Sequence, residues 1–136
     1  MLHILYKYLF LFWFGGSTYV TLEVFFRGYS HWTMFLLSGV IFICIGLLNE
    51  FSNKNFIVQC LLGACIATLF EFTAGCILNL WLGLHLWDYS NMFGNLLGQI
   101  CPLFSALWVL LSGIAIIVDD LIRWKFFNED KPHYYL

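Results

Sequence analysis

Two long runs without a charged side chain constrain this chain more than any other feature of its sequence. Between Arg27 and Glu50 lie 22 residues that include no Asp, Glu, Lys or Arg. A second uncharged run extends from Tyr89 to Val118. A helix needs about 20 apolar residues to cross the roughly 30 Å of hydrocarbon in a bilayer. Each run therefore predicts a membrane-spanning helix.

The composition extends this prediction to the whole chain. Hydrophobic residues make up 62% of the sequence and charged residues 10%, whereas soluble domains carry about 25% charged residues. Two further apolar stretches each contain a single acid, Glu23 or Glu71. The sequence therefore predicts an all-α, four-helix transmembrane bundle. It forms one domain over residues 1–126, with a polar tail at 127–136 and helices near 4–26, 32–50, 56–82 and 96–119.

The basic residues predict how the bundle is oriented. With four spans, five of them fall on one side of the membrane, and only Arg27 falls on the other; the five are Lys7, Lys54, Arg123, Lys125 and Lys131. Because Lys and Arg are enriched in cytoplasmic segments, both termini are expected to be cytoplasmic in a multi-pass protein of the cell membrane. The first helix is expected to be retained, since no Ala-x-Ala cleavage site follows it.

The acids inside the predicted helices are the first candidate site residues. A carboxylate within the bilayer costs several kcal/mol unless it is paired, hydrated or protonated. Glu71 shares a helix face with small residues such as Ala64, Ala67 and Gly75, which predicts that it points into the bundle. Glu23 and Arg27 are spaced i, i+4 with the acid first, the favourable order. That pair also fits a purely structural role at the membrane interface.

The segment before the fourth predicted helix supplies the remaining candidates, Asp88, Asn91 and Asn95. Their side chains could bind a ligand together with the intramembrane acids. On these residues alone a turn or a helix cap is the favoured interpretation, because Asp and Asn readily bond to nearby backbone. Pro102, placed inside the predicted helix, is expected to leave the carbonyl of Gly98 without its helical donor.

A resemblance to a known family rests on motifs in the same region. The run Trp87-Asp88-Tyr89-Ser90, followed by Asn95-x-x-Gly98-x-Ile100-Cys101 and by Trp108, resembles the signature of the putative ABC-transporter type IV membrane family (the CmpB-like permeases). The family is also similar in carrying an acid near the end of helix one, here Glu23 with Arg27, and another in the helix before the loop, here Glu71 with Gly75. Members tend to have a proline after that arginine, and Gly28-Tyr29-Ser30-His31-Trp32 has none. The resemblance implies a permease-like role without naming a substrate.

These observations leave three classes of function. The first is a permease-like transport component whose acids form a pocket in the outer half of the membrane and bind a cation, a proton or a basic group. It would act as a homo-oligomer or with a partner membrane or ATPase subunit. The second is a structural or holin-like protein that self-associates. The third, an intramembrane enzyme, is the least supported, because no nucleophile motif, metal set or cofactor motif is present.

Several partners and cofactors are not expected. A net charge of -2 does not favour nucleic acid. The five cysteines and four histidines lack the spacing of a metal or haem site. The lipid bilayer is the one partner that the composition demands.

Overall fold

The computed structural model describes residues 1–51 and 55–134. These residues form four helices: α1 (Leu2–Arg27), α2 (Trp32–Phe51), α3 (Phe56–Gly75) and α4 (Pro102–Phe126). All four are long and apolar enough to cross a membrane, which confirms the predicted all-α architecture. The connections 28–31 and 82–101 lie at what we call the loop end of the bundle. The termini lie at the opposite, terminal end. Lys54, which supported the predicted orientation, is outside the described residues.

Helix α2 holds the bundle together. It packs against α1 and contacts both α3 and α4, which also pack against each other. Glycines allow α1 and α2 to approach closely: a Cβ on Gly16 would lie 2.7 Å from the carbonyl oxygen of Phe35, and one on Gly39 would lie 2.8 Å from that of Phe12. Small residues serve helix contacts in lipid in this way, because the gain there comes from close packing.

Two apolar clusters fill the interior. One joins α2, α3 and α4 through Ile45, Ala67 and Ile116. The other joins α1, α2 and α4 through Leu11, Phe42 and Ile122. Most other large apolar side chains face outwards, as expected when lipid rather than water surrounds the helices.

Helix α3 continues into a π-helical turn, Cys76–Trp81. Its wider hydrogen-bonding pattern is seen where the N–H of Leu82 donates to the carbonyl of Ile77 at 2.9 Å. The turn buries Asn79, whose amide donates to Gln99 Oε1 at 2.8 Å and accepts from the N–H of Leu86 at 2.6 Å. The π-helical turn thus anchors both the beginning and the end of the 82–101 loop.

Helix α4 begins at Pro102 rather than near residue 96. Residues 96–101 instead form a tight turn, in which Leu97 and Gly98 have positive φ angles of 54° and 73° and Leu96 pairs with Ile100. Proline is well suited to the first position of a helix, where its missing N–H costs nothing. The carbonyl of Gly98 is not stranded as the sequence suggested, because it accepts from the N–H of Tyr89 at 2.7 Å.

The terminal end contains a charged network that the sequence analysis did not identify. We call Lys7, Asp119, Arg123 and Glu129 the terminal network. Arg123 Nε lies 2.8 Å from Asp119 Oδ2, and Lys7 Nζ lies 2.9 Å from Glu129 Oε2. The Asp119 side chain is fully buried and that of Arg123 is 4% exposed. Helix α4 therefore extends beyond the predicted end near 119 with charged residues that face the interior.

The segment after α4 packs against the bundle instead of leaving it. The Tyr134 hydroxyl donates to Asp120 Oδ2 at 3.0 Å, and its ring packs edge-on against Phe56. Burial and the nearby Asp120 carboxylate raise the pKa of the Tyr134 hydroxyl, so this donor keeps its proton at neutral pH. Asn49 of α2 also donates to Asp120, at 2.8 Å.

Candidate functional site

A small cavity lies between all four helices near the loop end. Its volume is about 50 Å³. Three of the predicted site residues line it, Glu23 and Arg27 from α1 and Glu71 from α3. The other lining side chains are aromatic, apolar or hydroxyl-bearing: Tyr19, Met34, Leu37, Ser38, Ile41, Trp87, Tyr89 and Trp108. We refer to this cavity as the Glu71 pocket.

Glu23 is fully engaged on one wall of the pocket. Its carboxylate accepts from the hydroxyl of Tyr19 at 3.2 Å, from that of Ser30 at 2.6 Å and from Arg27 Nη1 at 3.3 Å. The i, i+4 ion pair expected from the sequence is therefore confirmed. Three donors, one of which is the cationic guanidinium of Arg27, compensate the charge of Glu23.

Arg27 connects the end of α1 to the 82–101 loop. Its Nη2 donates to the Tyr29 hydroxyl at 2.8 Å and to the carbonyl of Leu86 at 2.9 Å. The guanidinium also lies over the Tyr29 ring, 4.8 Å from its centroid. With Glu23 these contacts engage the fork of donors on Arg27, which is therefore committed to the rim of the pocket.

Glu71 faces the interior, as the small residues on its helix face indicated. Ala64, Ala67 and Gly75 on that face are all buried. The polar groups of Trp108 and Tyr89 lie near the Glu71 carboxyl group. The Oε1 atom of Glu71 is buried and has no hydrogen-bond partner among the described residues. An unsatisfied buried carboxylate oxygen is costly, so the pocket has an unused acceptor.

Aromatic side chains hold the walls of the pocket in place. Trp87 Nε1 donates to the carbonyl of Gln99 at 3.0 Å. The Tyr89 ring stacks on Phe104 with centroids 4.8 Å apart and an interplanar angle of 16°. Burial, together with the negative charge of Glu71, raises the pKa of the Tyr89 hydroxyl. That hydroxyl therefore remains a donor at neutral pH.

The aromatic walls were not among the predicted site residues. In the sequence, Trp87 and Tyr89 served only as family signature residues. The available signal was the position of Trp108, well inside an apolar helix. A tryptophan N–H at that depth needs an acceptor, and the Glu71 carboxyl group lies near it.

The remaining predicted site residues do not line the pocket. Asp88 is exposed and accepts from the N–H of Ser90 at 2.9 Å; this bond lowers the pKa of the Asp88 carboxyl. Asn95 accepts from the N–H of Gly98 at 3.0 Å. Asn91 is exposed at the surface of the loop. Asp88 and Asn95 thus stabilise the loop that carries Trp87 and Tyr89.

The pocket offers few charged oxygen ligands. Within residues 1–51 and 55–134, no group of three or more His, Cys, Asp or Glu side chains is placed to hold a metal ion. Divalent cations such as Ca²⁺ and Mg²⁺ require six or more oxygen ligands. One unpaired carboxylate oxygen and hydroxyl groups do not provide such a shell.

Comparison with known proteins agrees with the motifs in the loop. No curated protein and no solved structure matches the chain. A family model described as "Putative ABC-transporter type IV" matches residues 10–129, which include every residue that lines the Glu71 pocket. The chain therefore belongs to the putative ABC-transporter type IV family.

Proposed function

We propose that this protein is a membrane-embedded transport component and that the Glu71 pocket is the place where it binds a cation or a proton. The observation that supports this proposal best is the buried Oε1 of Glu71, an acceptor without a partner among the described residues, in a cavity between four apolar helices. Acids in such positions are characteristic of ion and substrate pathways.

Charge balance in the pocket supports a cationic ligand. Glu23 and Arg27 form an ion pair with a separation of 3.3 Å, and their charges cancel. Glu71 then leaves a single negative charge when it is ionised. One monovalent cation or one proton neutralises it, and a bound anion would add to the charge in a site between apolar helices.

The proposal includes an orientation and a partner. The basic residues Lys7, Arg123, Lys125 and Lys131 lie at the terminal end, so that end faces the cytoplasm of a cell-membrane protein and the Glu71 pocket lies in the outer half. Four helices enclose little space, and the chain has no phosphate-binding loop of its own. It therefore works as a homo-oligomer or with a nucleotide-hydrolysing subunit, and it does not act as an enzyme itself.

Two variants test this function in the intact protein. Glu71→Gln keeps the size of the side chain but removes its charge, and Asp130→Asn removes a charge from an exposed residue of the terminal end. Each protein is purified gently from its own membrane, weighed with its partners by native mass spectrometry, and reconstituted into liposomes for measurements of ATP-driven or gradient-driven charge movement over a panel of cations.

Glu71→Gln is expected to preserve assembly and to abolish charge movement, whereas Asp130→Asn leaves both unchanged. A copurifying ATPase supports the ATP-driven form of the proposal. If Glu71→Gln moves charge as well as the unaltered protein, or if it fails to assemble while Asp130→Asn assembles normally, the transport proposal is wrong and a structural, self-associating role gains support.

A further inference from the structure

We infer that the ligand of the Glu71 pocket is a protonated amine: an ammonium ion or the primary ammonium group of a small organic cation. This inference rests on the proposed function and specifies its substrate class. It comes from the chemistry of the pocket walls, the size of the cavity and the way in which the donors around Glu71 are arranged.

The hydrogen-bond acceptors of the pocket complement the donors of an ammonium group. The Glu71 carboxyl group lies near the polar groups of Trp108 and Tyr89, and its buried Oε1, which has no hydrogen-bond partner among the described residues, can accept a donor. An ammonium group carries several N–H donors and no acceptor. It can therefore satisfy Oε1 and direct its remaining donors at hydroxyl oxygens such as that of Tyr19, which also lines the pocket.

The aromatic lining of the pocket also favours an ammonium group. Four of the side chains around the cavity are tryptophan or tyrosine: Tyr19, Trp87, Tyr89 and Trp108. Aromatic rings attract ammonium groups and bind them more strongly when water is excluded. Small inorganic cations such as Ca²⁺ and Mg²⁺ are held by a shell of oxygen ligands, which the aromatic rings do not supply.

The volume of the cavity limits the size of the ligand. A cavity of about 50 Å³ has room for about three to five water-sized groups, since one such group needs about 10–15 Å³. Ammonium and methylammonium fit this space. Tetraethylammonium does not fit, and it has no N–H to offer to Glu71.

The walls are fixed before any ligand binds. Trp87 is held by its bond to the Gln99 carbonyl and Tyr89 by its stacking on Phe104. A preorganised site loses less conformational entropy on binding. The geometry therefore describes a receptor for a small cation rather than a space left by imperfect packing.

Equilibrium binding of methylammonium to the full-length chain tests the inference. The protein is placed in lipid nanodiscs, and labelled methylammonium is titrated at neutral and at mildly alkaline pH, with unlabelled methylammonium, sodium and tetraethylammonium as competitors. The same titration is made with Glu71→Gln and with Asp130→Asn. Retention volume and helical content establish that each variant is folded.

We expect saturable binding that unlabelled methylammonium displaces and that sodium and tetraethylammonium do not. Glu71→Gln should weaken this binding by about tenfold or more, because a charge-assisted hydrogen bond is lost. Asp130→Asn should leave it unchanged. Competition by sodium at equal concentration, binding that is indifferent to Glu71→Gln, or no binding at all would each overturn the assignment of an amine.

The outcome is separable from that of the proposed function. If Glu71→Gln abolishes charge movement in liposomes but methylammonium does not bind, the pocket serves transport and its ligand is not an amine. If methylammonium binds through Glu71 but no cation moves, the pocket is a binding site and the transport role fails.

Discussion

Removing Arg123 tests whether the buried ion pair between Arg123 and Asp119 stabilises the terminal end. Asp119 is fully buried, and Arg123 Nε contacts its Oδ2 at 2.8 Å. A second guanidinium nitrogen lies 3.7 Å from Glu129 Oε1. Truncating one partner of a buried ion pair costs about 3–5 kcal/mol, since the other charge stays in the interior and loses the cation that contacts it. Arg123→Ala is therefore expected to raise the unfolded fraction on the order of a hundred- to several-thousand-fold.

Lys125 provides the matched control on the same helix. It is exposed, and its ammonium group lies 3.9 Å from the centroid of the Trp124 ring. An exposed contact of this kind contributes about 0.5–1 kcal/mol, so Lys125→Ala should have a small effect. The free energy of unfolding of both variants is measured in lipid bicelles, by steric trapping or by SDS titration. The double change Asp119→Leu with Arg123→Met removes both charges and is expected to recover most of the lost stability.

Equal destabilisation by Arg123→Ala and Lys125→Ala would refute this reasoning. It would mean that Asp119 either is hydrated or carries a proton, and that the ion pair is not what stabilises the terminal end. A double variant as unstable as Arg123→Ala would show that shape, rather than charge, is what the two side chains contribute.

Two further predictions concern α3 and the loop. A Cβ on Gly63 would lie 2.7 Å from both Cβ and Oγ of Ser112, so Gly63→Ala should destabilise the protein by about 1–3 kcal/mol. Adding Ser112→Gly should restore the lost stability. An unchanged midpoint in SDS titration of the single variant would contradict this close packing. Because the pKa of Asp88 is lowered in the folded loop, its bond to Ser90 is fully present above the ordinary Asp value of about 3.9 and is lost as the pH falls through the lower folded value. The protection of the Ser90 amide against hydrogen exchange, measured relative to the intrinsic rate at the same pH, should therefore fall only in strongly acidic solution, and an Asp88→Asn variant should not show this acid-dependent fall.

The spans and the interior acid could be predicted because each depends on local pattern. Uncharged runs of membrane length define helices whatever their neighbours are. The orientation of Glu71 followed from the small residues on its own helix face, and the bond between Glu23 and Arg27 followed from their spacing. Each of these inferences needed only helical periodicity.

The remaining features depend on contacts between distant parts of the chain. Lys7 and Glu129 are separated by 122 positions, and no local pattern connects them. The start of α4 was placed too early because residues 96–101 are uncharged like a span, while the positive φ angle of Leu97 is a conformation that leucine rarely adopts. The aromatic lining of the pocket depends on how the loop folds back over α3 and α4.

The position of the 82–101 loop depends on the number of residues in the π-helical turn at Cys76–Trp81. A turn of this kind holds an additional residue compared with an α-helical turn, and each residue of an α-helix advances its neighbours by about 100°. Deleting Ile77 would rotate Asn79 away from Gln99 and would displace Trp87 and Tyr89 together, while Glu71 stayed in place. The insertion or deletion of a single residue in this turn can therefore move Trp87 and Tyr89 without altering the helix that carries Glu71.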